Sequence, residues 1–200
     1  FRIWGAGDLP IRFLINDQTS DALLNIEAGS DPVNAVRASF QTWQNVPTSS
    51  LAFTDAGLTS LANAAMDRIN VVSFVDSQTS VGGALAVTIT TTAPEGGNIR
   101  LPNGQIISNT FPGQILDADI VFNRSQVFST LGSENANDLQ SVTTHEVGHL
   151  VGLDHATLLS ATMLPFTRVG TTFVRSVDFD DAFAISVLYP LEGAADISAS

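Results

Sequence analysis

The sequence predicts an α/β (α+β) fold, a sheet of four or five strands with helices at about residues 32–46, 137–151 and 179–188. Three observations carry this expectation. Short apolar segments rich in β-branched and aromatic residues recur between Ile11 and Phe122, each bounded by Gly, Pro, Asn or Asp. Two longer stretches, about residues 32–46 and 137–151, instead place apolar residues at three- and four-residue spacing or among polar ones, as helices do. The chain of 200 residues is long enough for one domain with a real core. Residues 1–200 are therefore read as one unit, with a polar tail at 191–200.

The first expected strand is Ile11–Ile15, ended by Asn16-Asp17. Asp31-Pro32 then offers a helix N-cap followed by proline at the first helical position. Val33, Val36, Phe40 and Trp43 form the apolar stripe of that helix, which Pro47 closes, and the stripe reads as core packing. Further strands are expected at Leu51–Phe53, Ile69–Phe74, Ala84–Ile89 and Ala118–Phe122. Between Thr90 and Gly113, repeated Pro and Gly predict a long loop or β-hairpin excursion. A second helix over about Asn137–Val151 is ended by Gly152, and a last one over Phe179–Leu188 is capped by Asp178, with Asp181 three residues on, and stopped by Pro190.

Composition narrows the function. Apolar residues make up 44% and charged residues 14%, as in an ordered globular protein. Twenty acidic residues against eight basic ones give a formal net charge of −12, which repels a phosphate backbone and argues against nucleic acid as a partner. All eight basic residues are Arg and 15 of the 20 acids are Asp, read here as a solvated acidic surface. No apolar run approaches the roughly 18 residues of a membrane helix, and the N-terminus lacks a basic-then-apolar signal, so the chain reads as soluble and already processed. With no cysteine, any transition-metal site must use His and carboxylates.

The chemistry concentrates at residues 145–155, His-Glu-Val-Gly-His-Leu-Val-Gly-Leu-Asp-His, which hold all three histidines of the chain. This is H-E-x-x-H extended to H-E-x-x-H-x-x-G-x-x-H. Five fixed positions make a chance match rarer than roughly one in 10⁴, against a far commoner bare H-E-x-x-H. On a helix, His145 and His149 share one face and can direct ring nitrogens to a common metal. His155 can return to that metal only if the chain turns sharply, and Gly152 permits the turn. Three neutral imidazoles leave a fourth position for a water that zinc acidifies, and Glu146 is placed to act as its general base and then to protonate the leaving amine.

These residues resemble the metzincin superfamily of zinc peptidases, and Met163, eight residues after His155, sits where that group has its Met-turn. Ser160-Ala161-Thr162-Met163-Leu164-Pro165 looks most like the matrixin branch, as do Val33–Trp43, Gly83-Ala84-Leu85-Ala86 and Asp180–Pro190. The resemblance implies a metzincin-like zincin fold, with a twisted mixed sheet and two long helices in an N-terminal lobe over about 1–152 and a small C-terminal lobe over about 153–190 that holds the Met-turn and final helix. It also implies a secreted zinc endopeptidase acting on protein or peptide substrates. It further implies an edge strand at Gly83–Ala86 that pairs with substrate, and a pocket near Pro165 for the side chain after the scissile bond. One catalytic zinc per chain is expected, since no histidine remains for the second, structural zinc that many matrixins carry. Calcium in strand-connecting loops stays open: Asp76, Glu95, Asp117 and Asp119 lie in suitable regions without forming a recognisable ligand loop. A monomer without membrane attachment is expected. Two other readings stand beside the peptidase: a non-catalytic metal-containing binding module, and a hydrolase of a non-protein amide.

Overall fold

The computed structural model describes residues 1–18, 25–77 and 79–191. In chain order, β1 (Ile3–Trp4) and a 3-10 turn (Ala6–Asp8) lead to β2 (Ile11–Asn16), α1 (Pro32–Gln44), β3 (Phe53–Thr59) and β4 (Asn70–Ser73). β5 (Ala86–Thr92), a hairpin of β6 (Gly97–Arg100) and β7 (Ile106–Thr110), and β8 (Gln114–Phe122) follow. The two-residue strands β9 (Phe128–Ser129) and β10 (Asn137–Asp138) precede α2 (Leu139–Leu150), and after a second 3-10 turn (Phe173–Arg175) comes α3 (Phe179–Leu188).

The main sheet is mixed and mostly parallel. β3, β2, β4 and β8 lie side by side in parallel, β1 joins the start of β8, and β5 runs antiparallel to β8 from Ala86 opposite Phe122 to Thr92 opposite Ile115. β8 is buried along its whole length, as a central strand covered on both faces should be. Among the described residues β5 pairs with β8 alone, so its outer edge is free.

α1 forms where its stripe predicts. The Asp31 side chain accepts from Asn34 N at 3.0 Å, and Pro32 opens the first turn. Val36, Phe40 and Trp43 are buried, with the Phe40 ring stacked on Phe13 of β2 at 3.7 Å between centroids. Polar contacts then fix α1 against α2: Trp43 Nε1 donates to Thr144 O at 2.8 Å, and Ser39 Oγ to Gln140 O at 3.0 Å. One apolar cluster joins Trp4, Phe13, Phe40 and Trp43 to Val147, Leu150, Met163, Ile185 and Tyr189, so residues beyond Gly152 share the core of those before it.

Several boundaries differ from expectation. The strand expected at Leu51–Phe53 begins at Phe53 and continues through Thr54-Asp55-Ala56-Gly57, where pairing with β2 rather than apolar alternation holds the chain extended. The strand expected at Ala84–Ile89 begins at Ala86 and runs on through three threonines. Asn123 holds the preceding turn, its side-chain amide donating to Ala84 O at 2.7 Å and its backbone N–H to Leu85 O at 2.9 Å. β8 starts four residues before the expected Ala118, and Asn137-Asp138 form a strand ahead of α2, with Asp138 as its cap. α3 matches its expected span, but the Asp178 side chain makes no capping bond, and Asp181 is directed elsewhere, as shown below. The expected tail lies, from residue 192 on, outside the described residues. Among the described residues no helix is long and apolar enough to cross a membrane.

Candidate metal centre

α2 presents His145 and His149 one turn apart, and the chain reverses at Gly152 to bring His155 back. Gly152 has φ 99°, its N–H donates to His149 O at 2.9 Å, and Leu153 N donates to Gly148 O at 3.0 Å. This closes the helix in a left-handed cap, which glycine adopts without a Cβ penalty. A Cβ at Gly152 would also lie 1.8 Å from Arg2 O, so the turn is pressed against the N-terminal backbone.

The three imidazoles converge. Ring centroids lie 4.8 Å apart for His145 and His149, 4.8 Å for His149 and His155, and 5.3 Å for His145 and His155. Their ligating nitrogens all fall within 4.8 Å of one another, and the Nε2 atoms of His149 and His155 approach to 3.2 Å. Two ligands on a tetrahedral zinc with bonds of 2.0–2.1 Å stand roughly 3.3 Å apart, so the cluster is of the right size.

Backbone carbonyls set the tautomers. His145 Nδ1 lies 2.8 Å from Thr162 O, and His149 Nδ1 lies 2.8 Å from Leu153 O. A carbonyl only accepts, so each Nδ1 carries the proton and each Nε2 keeps its lone pair for a metal. Burial holds His145 down to about 4, outweighing the Thr162 carbonyl, and burial likewise lowers His149. Both rings are neutral at neutral pH, as metal ligands must be.

Met163 packs beneath the helix. A Cβ on Gly148 would sit 2.2 Å from its sulfur and 2.9 Å from Trp43 Cζ2, so the absence of a side chain at Gly148 is what lets the methionine approach the helix. The Met163 turn is itself tied down: Ala156 N donates to Met163 O at 2.8 Å, and Thr162 N to Asp181 Oδ2 at 2.5 Å. Asp181 of α3 thus fixes the residue whose carbonyl orients His145.

Glu146 is 5% exposed and lies beside the cluster. Burial pushes its carboxyl up to about 7, against the pull of a hydrogen bond from the Thr88 hydroxyl of β5. A cleft of about 770 Å³ runs between β5 and the Met163 turn, lined by the three histidines, Glu146, Gly83–Ala86, Thr88 and Pro165. Gly83, Ala84 and Leu85 belong to the turn entering β5, not to the strand itself. Among the suggested calcium positions, Asp76 accepts from Ala64 N and Thr79, and Asp119 accepts from Ala65 N and Val71 N. Asp117 is buried with Oδ1 unpartnered, and Glu95 is exposed in the turn before β6.

Sequence reasoning missed Thr88, Asp181, Gly148 and the carbonyls of Leu153 and Thr162. Alternation within the expected strand puts Thr88 on the face of Ala86, but no local signal couples it to a glutamate 58 residues away. A family model described as matrixin matches residues 10–190. The chain is 31% identical over 88 residues to stromelysin-3 of Xenopus laevis, covering 44% of this chain and 18% of that protein. It is 47% identical over 57 residues to metalloendoproteinase 1-MMP of Arabidopsis thaliana, covering 28% and 15%. To matrix metalloproteinase-16 of Homo sapiens it is 29% identical over 157 residues, covering 78% and 23%. The matches thus span less than a quarter of the length of these relatives.

Proposed function

This chain belongs to the matrixin family, and from that premise we propose that it is a zinc-dependent endopeptidase. The observation that carries the reading is the convergence of His145, His149 and His155 beside a buried Glu146 at the floor of a cleft. The donor set suits zinc: three imidazoles, two of them held by carbonyls in the tautomer that leaves Nε2 free. When bound there, zinc supplies a Lewis acid that acidifies a water and polarises the scissile carbonyl.

The residues of the chain do the rest. His145, His149 and His155 hold the ion. Glu146 takes the proton of the attacking water and delivers it to the departing amine, and burial, by raising its proton affinity, suits it to both tasks near neutral pH. Met163 supports the helical histidines from below. The free edge of β5 from Ala86 on and the turn Gly83–Leu85 that enters it receive an extended peptide by strand addition, and Pro165 borders the pocket for the side chain after the cut. The reading assigns none of Asp76, Glu95, Asp117 and Asp119 to calcium. It treats the chain as one catalytic unit, working as a monomer outside the cell.

Zinc content and digestion of a mixed peptide library, for the wild type and Glu146→Ala, test the reading. One zinc in each protein, with cleavage reduced by about 10²-fold or more in the variant, is expected. Zinc without cleavage by the wild type would leave a binding module, and no zinc would overturn the site.

A further inference from the structure

Among the described residues the Glu146 carboxylate has one hydrogen-bonding side-chain neighbour. Thr88 Oγ1 of β5 lies 2.7 Å from Glu146 Oε2 and 2.9 Å from the Glu146 main-chain oxygen. The other carboxyl oxygen, Oε1, has no such partner, nor is it among the buried unpartnered atoms, and Glu146 lines the cleft. One oxygen is therefore anchored and the other open to the cleft.

The terminal torsion of a glutamate is broad and nearly two-fold, so burial alone does not choose which oxygen faces the reacting atoms. A strand can. Thr88 is fixed opposite Ile120 in the β5–β8 ladder, so its hydroxyl is a rigid point on the wall of the site. We propose that Thr88 is the positioning residue of the general base, holding Oε2 against β5 so that Oε1 is presented to the attacking water. The proposal rests on the reading of Glu146 as that base.

The hydroxyl suits the task because it has one proton to give and Oε2 accepts it in either protonation state of the carboxyl. It donates to the ionised carboxylate. Once Oε1 has taken a proton, Oε2 is still an acceptor, so the hydroxyl keeps donating to it and the contact survives the proton transfer with no change in covalent bonding at Thr88. A valine of the same shape has no proton to donate. Because β5 is also the strand proposed to receive the peptide, substrate and base take their positions from one element.

The test compares Thr88→Val, Thr88→Ala and Thr88→Ser in the full zinc-loaded chain. Val and Ala are expected to lower kcat by about 10- to 100-fold with KM little changed, and Ser to remain within about threefold of wild type. All are expected to hold one zinc per chain. In the zinc-free protein labelled with 13C at glutamate carboxyl carbons, the Glu146 resonance, identified by its loss in Glu146→Gln, should move in Val and Ala but not in Ser. Unchanged kcat in both Val and Ala, an equal fall in Ser, or loss of zinc in step with activity would overturn the proposal. A wild type that holds zinc but cuts no peptide would sink the peptidase reading instead, and the 13C resonance would still show whether the Thr88–Glu146 contact exists.

Discussion

Gly152 meets two constraints at one residue. Its φ of 99° lies where a side chain is strained, and a Cβ there would stand 1.8 Å from the backbone of Arg2, which cannot rotate aside. Gly148 is as crowded, at 2.2 Å, but against the far end of a methionine that can move. Gly152→Ala is therefore expected to lower the unfolding free energy by about 1–3 kcal/mol or more. It should also weaken zinc binding by about tenfold or more, since the turn supplies the carbonyl that orients His149. Gly7→Ala, where a Cβ meets nothing within 4 Å, serves as the control and should stay within about 0.5 kcal/mol. Urea unfolding and competitive zinc titration measure both effects, and a Gly152→Ala protein that binds zinc as tightly as wild type would show that the turn is not what sets the site.

At the scale of elements, the metal centre belongs to α2 but is oriented from outside it. α3 places Asp181 in the core, where it accepts from Thr162 N and holds the carbonyl that meets His145 Nδ1. Asp181→Ala leaves a buried N–H without a partner, expected to cost about 1–3 kcal/mol. The loosened Thr162 carbonyl should weaken zinc binding by about 10-fold or more. Equilibrium dialysis against zinc tests this, and unaltered affinity in a destabilised protein would reduce Asp181 to a packing role. Asp178 makes no capping bond; its carboxylate accepts from Ser160 Oγ at 3.4 Å and its N–H donates to Thr162 Oγ1 at 2.8 Å, so it too is turned toward the Met163 turn. α2 is likewise held from a distance: its cap Asp138 also accepts from two nitrogens of Arg175.

For the whole molecule, the central strand β8 carries Asp117 and Asp119 into the sheet. Burial pushes Asp117 up to about 6, and burial together with the Asp117 charge pushes Asp119 up to about 7, from an ordinary 3.8. The folded chain therefore retains protons on this pair that the unfolded chain has already released. Between pH 4 and 7 the folded state binds more protons, so this contribution to stability is greatest at the acid end and is lost as pH rises through about 6 and about 7. In calcium-free buffer at constant zinc, the contribution of this pair to the melting temperature should rise on going from pH 8 to pH 5.5; His145 and His149, held down by burial, work in the opposite sense, so the pair is read from the difference between wild type and Asp117→Asn. Asp117→Asn removes one titrating group and the charge beside the other, so its rise should be smaller. Equal pH responses in the two proteins would refute this account.

His145, Glu146, His149, Gly152 and His155 were legible in the sequence because helix geometry and one turn relate them, and such short-range relations are encoded in spacing. α1 and α3 were legible for the same reason, through the stripe Val36-Phe40-Trp43 and the stop at Pro190. The start of β5, the length of β8 and the polar strand β3 were not, because ladder hydrogen bonds to distant partners decide them. Thr88 and Asp181 were invisible for a related cause: their roles exist only where β5 and α3 meet α2. Local spacing determined which side chains can share a metal, while tertiary packing alone decided what orients them, since each orienting group reaches the site through space rather than along the chain.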